Sequence, residues 1–180
     1  MKNRIFTFIL CFFFSDLLTI FNFIVTFLLN KTFNRLQSMK NQSKFESRND
    51  SQVFNAIPLS IAFGHRQIFA ISLKKIQKLE NSTEKLILKK ILSLFGANLI
   101  ATRYLSTLYE GNFIPSDIKA GSLLESGTLE LLNELKNEAV SLVDAIAPPD
   151  FIINSPLGMS DGNVYKHLQN FIYQSPDTFT

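Results

Sequence analysis

The sequence predicts an all-α protein, an antiparallel bundle of about five helices. Apolar residues recur at helical spacing through most of the chain, and capping residues, prolines and glycines cut that pattern into helix-length pieces. No stretch alternates apolar and polar residues as a half-buried strand would. At 180 residues, with 46% apolar and 18% charged side chains, the chain suits one compact domain and is too apolar for a disordered acidic or basic tail. A single cysteine, Cys11, excludes an internal disulfide framework and a cysteine zinc site.

The N-terminal run from Ile5 to Leu29 is nearly continuous apolar sequence, and nine of the eighteen phenylalanines fall within the first 33 residues. Asp16 divides it into charge-free stretches of 11 and 14 residues, each shorter than the roughly 18 of a spanning helix. Two readings stand level: a signal or anchor, and a helix buried within a larger helical assembly. From Gln37 to Gln52 the chain turns polar and reads as a long, mobile loop. Pro58 then opens a helix over residues 57–80, with Ile61, Ile68, Phe69, Leu73, Ile76 and Leu79 as its apolar stripe and Lys74, Lys75 and Lys78 near its C-terminal end. Asn81, with Glu84 three positions on, caps the next helix, whose stripe of Leu88, Leu92, Phe95 and Leu99 runs on to Leu108 before Gly111 ends it. Gly96, inside that helix, marks a place where another helix crosses closely.

Pro115-Ser116-Asp117 reads as a further helix start, with Gly121 and Gly127 leaving one or two helices over residues 117–147. Leu132, Leu135, Ala139, Val143 and Ile146 line one face of the second half, and Pro148-Pro149 stops it. Asp161-Gly162-Asn163 turns the chain and caps a short helix carrying Val164, Leu168, Phe171 and Ile172.

Local chemistry is sparse. His65 falls on an apolar helix face and His167 lies about a hundred residues away, neither with a ligand partner at helical spacing, so His65 reads as a packed core or interface histidine. Cys11 sits among phenylalanines, where burial blunts a thiol. Glu125, Glu130, Glu134 and Glu138 include two i, i+4 steps, but without a Glu-x-x-His they read as a solvated face and not as a di-metal site. No Gly-rich phosphate loop is present. Charge is asymmetric, eleven Lys and Arg against four Asp and Glu before Asn81 and seven against eleven from there on. The basic residues do not cluster with aromatics, which argues against a nucleic-acid partner. Asn30-Lys31-Thr32 and Asn81-Ser82-Thr83 match the glycosylation sequon and belong to a secreted reading only. The residues themselves therefore nominate no catalytic and no metal-binding group, and leave cofactor-binding residues unknown.

The stretch Asn137 to Phe151, ending Ala147-Pro148-Pro149-Asp150-Phe151, followed by Ser155-Pro156-Leu157-Gly158 and Asp161-Gly162-Asn163-Val164-Tyr165-Lys166, resembles the C-terminal helical domain of peroxisomal acyl-coenzyme A oxidases, most closely the pristanoyl, or branched-chain, type. Weaker similarity runs back through Tyr109-Glu110-Gly111-Asn112-Phe113 and Pro58 to Phe63, as far as Asp16-Leu17-Leu18. It thus covers residues 16–180, leaving 1–15 as an unmatched apolar extension, a targeting segment or a gene-model artefact. The resemblance implies that Leu17 to Leu36 is a buried helix and makes a membrane anchor the minor reading. It also implies an FAD enzyme that oxidises an acyl-CoA with oxygen to the trans-2-enoyl-CoA and hydrogen peroxide, a carboxylate taking the α-proton as hydride leaves the β-carbon for flavin N5. In that family the flavin domain and the catalytic Glu lie upstream of the matched part, so this segment alone is expected to be silent. Its partners would be the remaining oxidase domains and a dimer partner, and its compartment the peroxisome, although the chain stops at Thr180 without Ser-Lys-Leu. The alternatives are a non-catalytic helical interaction protein, tethered to a membrane through residues 1–29, and a secreted glycoprotein.

Overall fold

The computed structural model describes residues 2–80 and 82–174, with side chains from Leu17 to Glu80 and from Ser82 to Tyr173. It falls into two compact units, Met1–Leu135 and Lys136–Thr180. Among the described residues there are helices and turns and no strand.

In the first unit, α1 (Lys2–Ser38) presents Leu17, Phe21, Ile24 and Leu28, all buried, at the four- and three-residue steps that keep one helix face in register. That face packs on α3 (Ile57–Gln77) through Ala62, Phe69, Leu73 and Ile76, and on α4 (Thr83–Leu99) through Leu92. Phe21 and Phe69 stand 5.2 Å apart, and Tyr104 meets Phe21 edge-on at 6.2 Å. Each such side chain removed from water contributes about 1.5–3 kcal/mol. Both α1 from Leu17 to Ser38 and the continuous helix Lys44–Gln77 are long and apolar enough to cross a membrane. The buried-helix reading of residues 17–36 holds for one face of Leu17 to Leu28, whereas Leu29, Phe33 and Leu36 are exposed.

The polar stretch read as a long loop is largely helix. The α2 helix (Lys44–Ser51) begins at a complete capping box, in which the Ser43 hydroxyl accepts from the Glu46 N–H and the Glu46 carboxylate accepts from the Ser43 N–H. Pro58 does not open a helix either. A π turn over Gln52–Ala56 joins α2 to α3 without a break, and the Ile57 N–H reaches back five residues to the Gln52 carbonyl. The widened turn sits directly ahead of the proline, where an ordinary α ladder would lose a hydrogen bond and meet the ring. Further along α3, Ile61 and Ile68 do not share the stripe of Phe69, Leu73 and Ile76, because they lie on a separate, exposed face.

Ser82 is the N-cap of α4, its hydroxyl accepting from the Lys85 N–H, while Asn81 lies outside the described residues. A second π turn, Ile100–Tyr104, leads into α5 (Leu105–Glu110), which ends at Gly111 as expected, the positive φ of 54° falling on Asn112. Gly96 faces the crossing expected of it: a Cβ there would stand 3.0 Å from a Leu17 methyl and 3.1 Å from the Phe69 ring. The α6 helix (Ala120–Leu135) starts three residues beyond Asp117 and carries both Gly121 and Gly127 in one piece.

The second unit begins with a 3-10 turn over Lys136–Glu138, followed by α7 (Ala139–Asp144), α8 (Asp150–Ile153) and α9 (Val164–Gln174). None of its described residues is buried. The face expected from Leu132 to Ile146 is therefore not a core face: only Leu135 is buried, and Ile146 is 86% exposed. The 3-10 turn shifts the helical phase between Leu135 and Ala139, so the five residues do not share one continuous helix surface.

Gly96→Ala tests the crossing. In an open helix the change gains about 1 kcal/mol in propensity. Here the added methyl meets Leu17 and Phe69, both almost inaccessible to solvent, and overpacking costs roughly 1–3 kcal/mol. A lower urea midpoint is the expected outcome.

Candidate functional site: an uncovered apolar surface

The polar side chains singled out by the sequence are used for structure. His65 Nδ1 lies 2.7 Å from the Tyr104 hydroxyl, and the ring stands edge-on to Phe95. Burial first, then the Arg103 charge, pushes the His65 pKa below its ordinary value, keeping the imidazole neutral at physiological pH. Burial raises the Tyr104 hydroxyl in turn. His65 is thus the packed interface histidine that its position predicts.

His167 belongs to a cap. Its Nε2 donates to both Asp161 oxygens, at 2.8 and 2.9 Å, and the same carboxylate accepts from the Asn163 N–H and side-chain amide. The Asn163 bonds first, then His167, hold the Asp161 carboxyl far below the usual carboxylate range. Of the glutamates predicted to form a solvated face, Glu125 and Glu134 are exposed, with Glu134 paired to Lys90 at 2.9 Å, while Glu130 is half-buried and Glu138 falls, half-buried, in the 3-10 turn. Among the described residues no cluster of His, Cys, Asp and Glu could hold a metal ion. Lys74, Lys75 and Lys78 are exposed, and the Cys11 side chain lies outside the described residues. At the Asn30 sequon, Thr32 is buried with its hydroxyl donating to the Leu28 carbonyl.

Two devices were not read from the sequence. The Tyr109 hydroxyl donates to the Ile118 carbonyl at 2.6 Å and accepts from the Ala120 N–H at 3.1 Å, tying α5 to the start of α6. In the second unit, Asp150 accepts from the Ser160 N–H and hydroxyl, at 3.0 and 2.8 Å. Pro149 precedes α8, Asn154 ends it with a φ of 45°, and a Cβ on Gly158 would press within 2.8 Å of Ile153. The Pro-Pro-Asp-Phe, Leu-Gly and Asp-Gly-Asn pieces are thus parts of one folded corner. Their signal was present as the residues themselves, but only the folded chain pairs Asp150 with Ser160.

This corner bounds an open groove of about 580 Å³ lined by Val143, Ala147, Pro148, Pro149, Ile153 and Leu157, with Asp144 and Asp150 as its charged groups. No lysine or arginine lines it. Two carboxylates without a cation do not fit a dinucleotide pyrophosphate. What remains is apolar surface with nothing over it: Phe54, Ile57, Ile61, Ile68 and Ile71 in the first unit, and Ile146, Phe151 and Leu157 in the second.

A helical bundle with exposed apolar faces, and among the described residues no metal-ligating cluster, is the class that the fold defines. The sequence model of the acyl-CoA oxidase family matches residues 14–180. The chain belongs to that family. It is 33% identical over 167 residues to human peroxisomal acyl-coenzyme A oxidase 3, covering 87% of this chain and 23% of that protein. It is 35% identical over 156 residues to Caenorhabditis elegans acyl-coenzyme A oxidase acox-3, covering 86% and 23% respectively. Against Arabidopsis thaliana peroxisomal acyl-coenzyme A oxidase 1 it is 36% identical over 133 residues, 72% of this chain and 20% of that protein. It spans less than a quarter of the length of these relatives.

Two local predictions follow from the geometry. Because the folded Asp161 carboxyl titrates below its unfolded value of 3.8, its contribution is complete above that value and is lost as pH falls through the folded pKa. In an acid titration followed by NMR, the Asn163 amide signal, whose N–H Asp161 accepts, is expected to hold its position above the unfolded carboxyl value and to shift only below it, and Asp161→Ala should displace it already at neutral pH. Tyr109→Phe removes a hydroxyl with two backbone partners and should cost about 0.5–1.5 kcal/mol in urea unfolding.

Proposed function

We propose that this chain is the C-terminal helical domain of an FAD-dependent acyl-CoA oxidase acting in peroxisomal fatty-acid β-oxidation, which converts acyl-CoA and oxygen to trans-2-enoyl-CoA and hydrogen peroxide. Its role in that enzyme is to pack against the remaining oxidase domains and the dimer partner. The observation that carries this reading is the family match over residues 14–180 of a chain whose described residues leave large apolar faces uncovered. No residue here is assigned to catalysis. The groove of the second unit does not fit the flavin dinucleotide, so the flavin and the base that takes the α-proton belong, on this reading, to the rest of the enzyme. The peroxisomal assignment draws on the names of the human and Arabidopsis relatives.

A second reading, a non-catalytic helical interaction protein tethered to a membrane, draws on the length and apolar character of Leu17–Ser38 and Lys44–Gln77. One experiment separates the two. An antibody against residues 130–147 is used on fractionated native cells, and the immunoprecipitate is assayed for bound flavin and for peroxide formation from acyl-CoA. The oxidase reading expects the epitope in peroxisomes on a polypeptide several times the 20.5 kDa of this chain, with both flavin and activity. A band near 20.5 kDa in membranes, with neither, would establish the tethered module instead.

A further inference from the structure

One side-chain hydrogen bond, 2.7 Å between His65 Nδ1 and the Tyr104 oxygen, joins α3 to the π turn Ile100–Tyr104. Tyr104 is 5% exposed, and among the described residues His65 is the one hydrogen-bond partner of its hydroxyl. A buried phenol proton without an acceptor is costly, so the hydroxyl donates and Nδ1 accepts, which puts the proton of the neutral imidazole on Nε2. The backbone departs from the helix at this contact. Leu99 and Leu105 keep helical angles, whereas Tyr104 stands at φ −116° and ψ −3°. The groups around the imidazole offer a second proton no counter-charge. Arg103, beside Tyr104, opposes a positive ring, Arg66 is turned to Asn22 of α1 and to Gln67, and α4 presents the Phe95 ring. No Asp or Glu among the described residues pairs with His65, while His167 has the Asp161 carboxylate against its Nε2.

We propose that His65 and Tyr104 form a proton-operated latch, in which the neutral imidazole holds the π turn Ile100–Tyr104 on α3 and a proton on Nδ1 releases it. His65 is half-buried, so protons from solvent reach the ring. A proton on Nδ1 turns the acceptor into a donor. The phenol proton then loses its acceptor in a buried place, and the new charge lies near the Arg103 guanidinium with part of its hydration removed. Release of the turn relieves all of these at once. The π turn is the element to move, because its geometry is rare and its hydrogen bonding poorer than that of the α-helices on either side. Tyr104 also meets Phe21 edge-on, so its departure loosens the junction of α1 and α3. The direction in pH follows from the same groups. Burial first, then Arg103, hold the folded imidazole below its ordinary value of 6.5. The closed latch is therefore complete above that value and is lost as pH falls from it through the folded pKa.

The latch goes beyond the oxidase reading and does not depend on it, since its test reads local packing and not oxidation. In the full chain, the ring signals of His65 and Tyr104 and the amide hydrogen exchange of residues 100–104 are followed by NMR from about pH 8 to about pH 5. Both rings are expected to shift with one midpoint below 6.5, and the protection of residues 100–104, corrected for intrinsic exchange, should fall severalfold over the same range. The chain has two histidines, and His167→Gln identifies the other one and should leave this change in place. His65→Gln keeps a carbonyl acceptor for the phenol but takes up no proton, so protection should stay high down to about pH 5. Arg103→Gln should move the His65 midpoint up towards 6.5 and carry the loss of protection with it. If His65→Gln fails to fold, that paired movement reads the same coupling. Tyr104 signals and protection that stay unchanged while His65 titrates overturn the proposal, as does a pH-dependent loss that persists in His65→Gln or that ignores the shifted midpoint in Arg103→Gln.

Discussion

The position of Phe21 against Phe69, with Gly96 beneath Leu17, is the constraint on which the first unit depends. A residue with no Cβ lets α1 settle where α4 and α3 meet, and the aromatic ring then fills the junction. Tyr104 reaches the same ring from the second π turn, and its hydroxyl carries the contact outward to His65. Core packing and the fate of the histidine are thus linked. His65 is occupied because the phenol beside it is held against the ring that α1 supplies. The histidine that its sequence position marks as packed joins α3 to the segment after α4.

How much of this was legible in the sequence follows from range. Interactions within a turn could be read from the residues alone: the Gly111 stop and the Asp161-Gly162-Asn163 cap are local devices and stand where their residue types place them. The polar stretch from Gln37 to Gln52 was misread because its composition outweighed the Ser43-x-x-Glu46 signature within it. The box supplies the start of α2, and apolar periodicity has no part in it. Pro58 misled for a related reason. A proline ends a helix only when the preceding turn keeps the α ladder, and the five-residue π bond from Ile57 to Gln52 removes that condition.

Burial was less legible than helicity. Periodicity says which residues share a face, and it does not say what lies opposite. Ile61 and Ile68 were placed with Phe69 because all three are apolar at near-helical spacing, yet a rotation of about 100° between neighbours puts them on different faces. The same holds at Ile146, whose face would be core if something covered it. The Asp150–Ser160 pairing was out of reach for the opposite reason: it joins residues ten apart across a corner, beyond the span of any capping rule.

The two units express one principle in different proportions. The first buries a stripe from each of its main helices and leaves a second row on α3. The second buries none of its described residues, and holds its corner by Asp150, Asn154, Gly158 and Asp161 through backbone geometry and hydrogen bonds. A corner stabilised that way keeps its shape without a core of its own, so its apolar residues remain available for another surface. The chain covers less than a quarter of the length of the relatives it matches. Ile146, Phe151 and Leu157 in the second unit, and separately the isoleucines of α3 in the first, are large apolar side chains left exposed, and each group exceeds what scattered surface residues require.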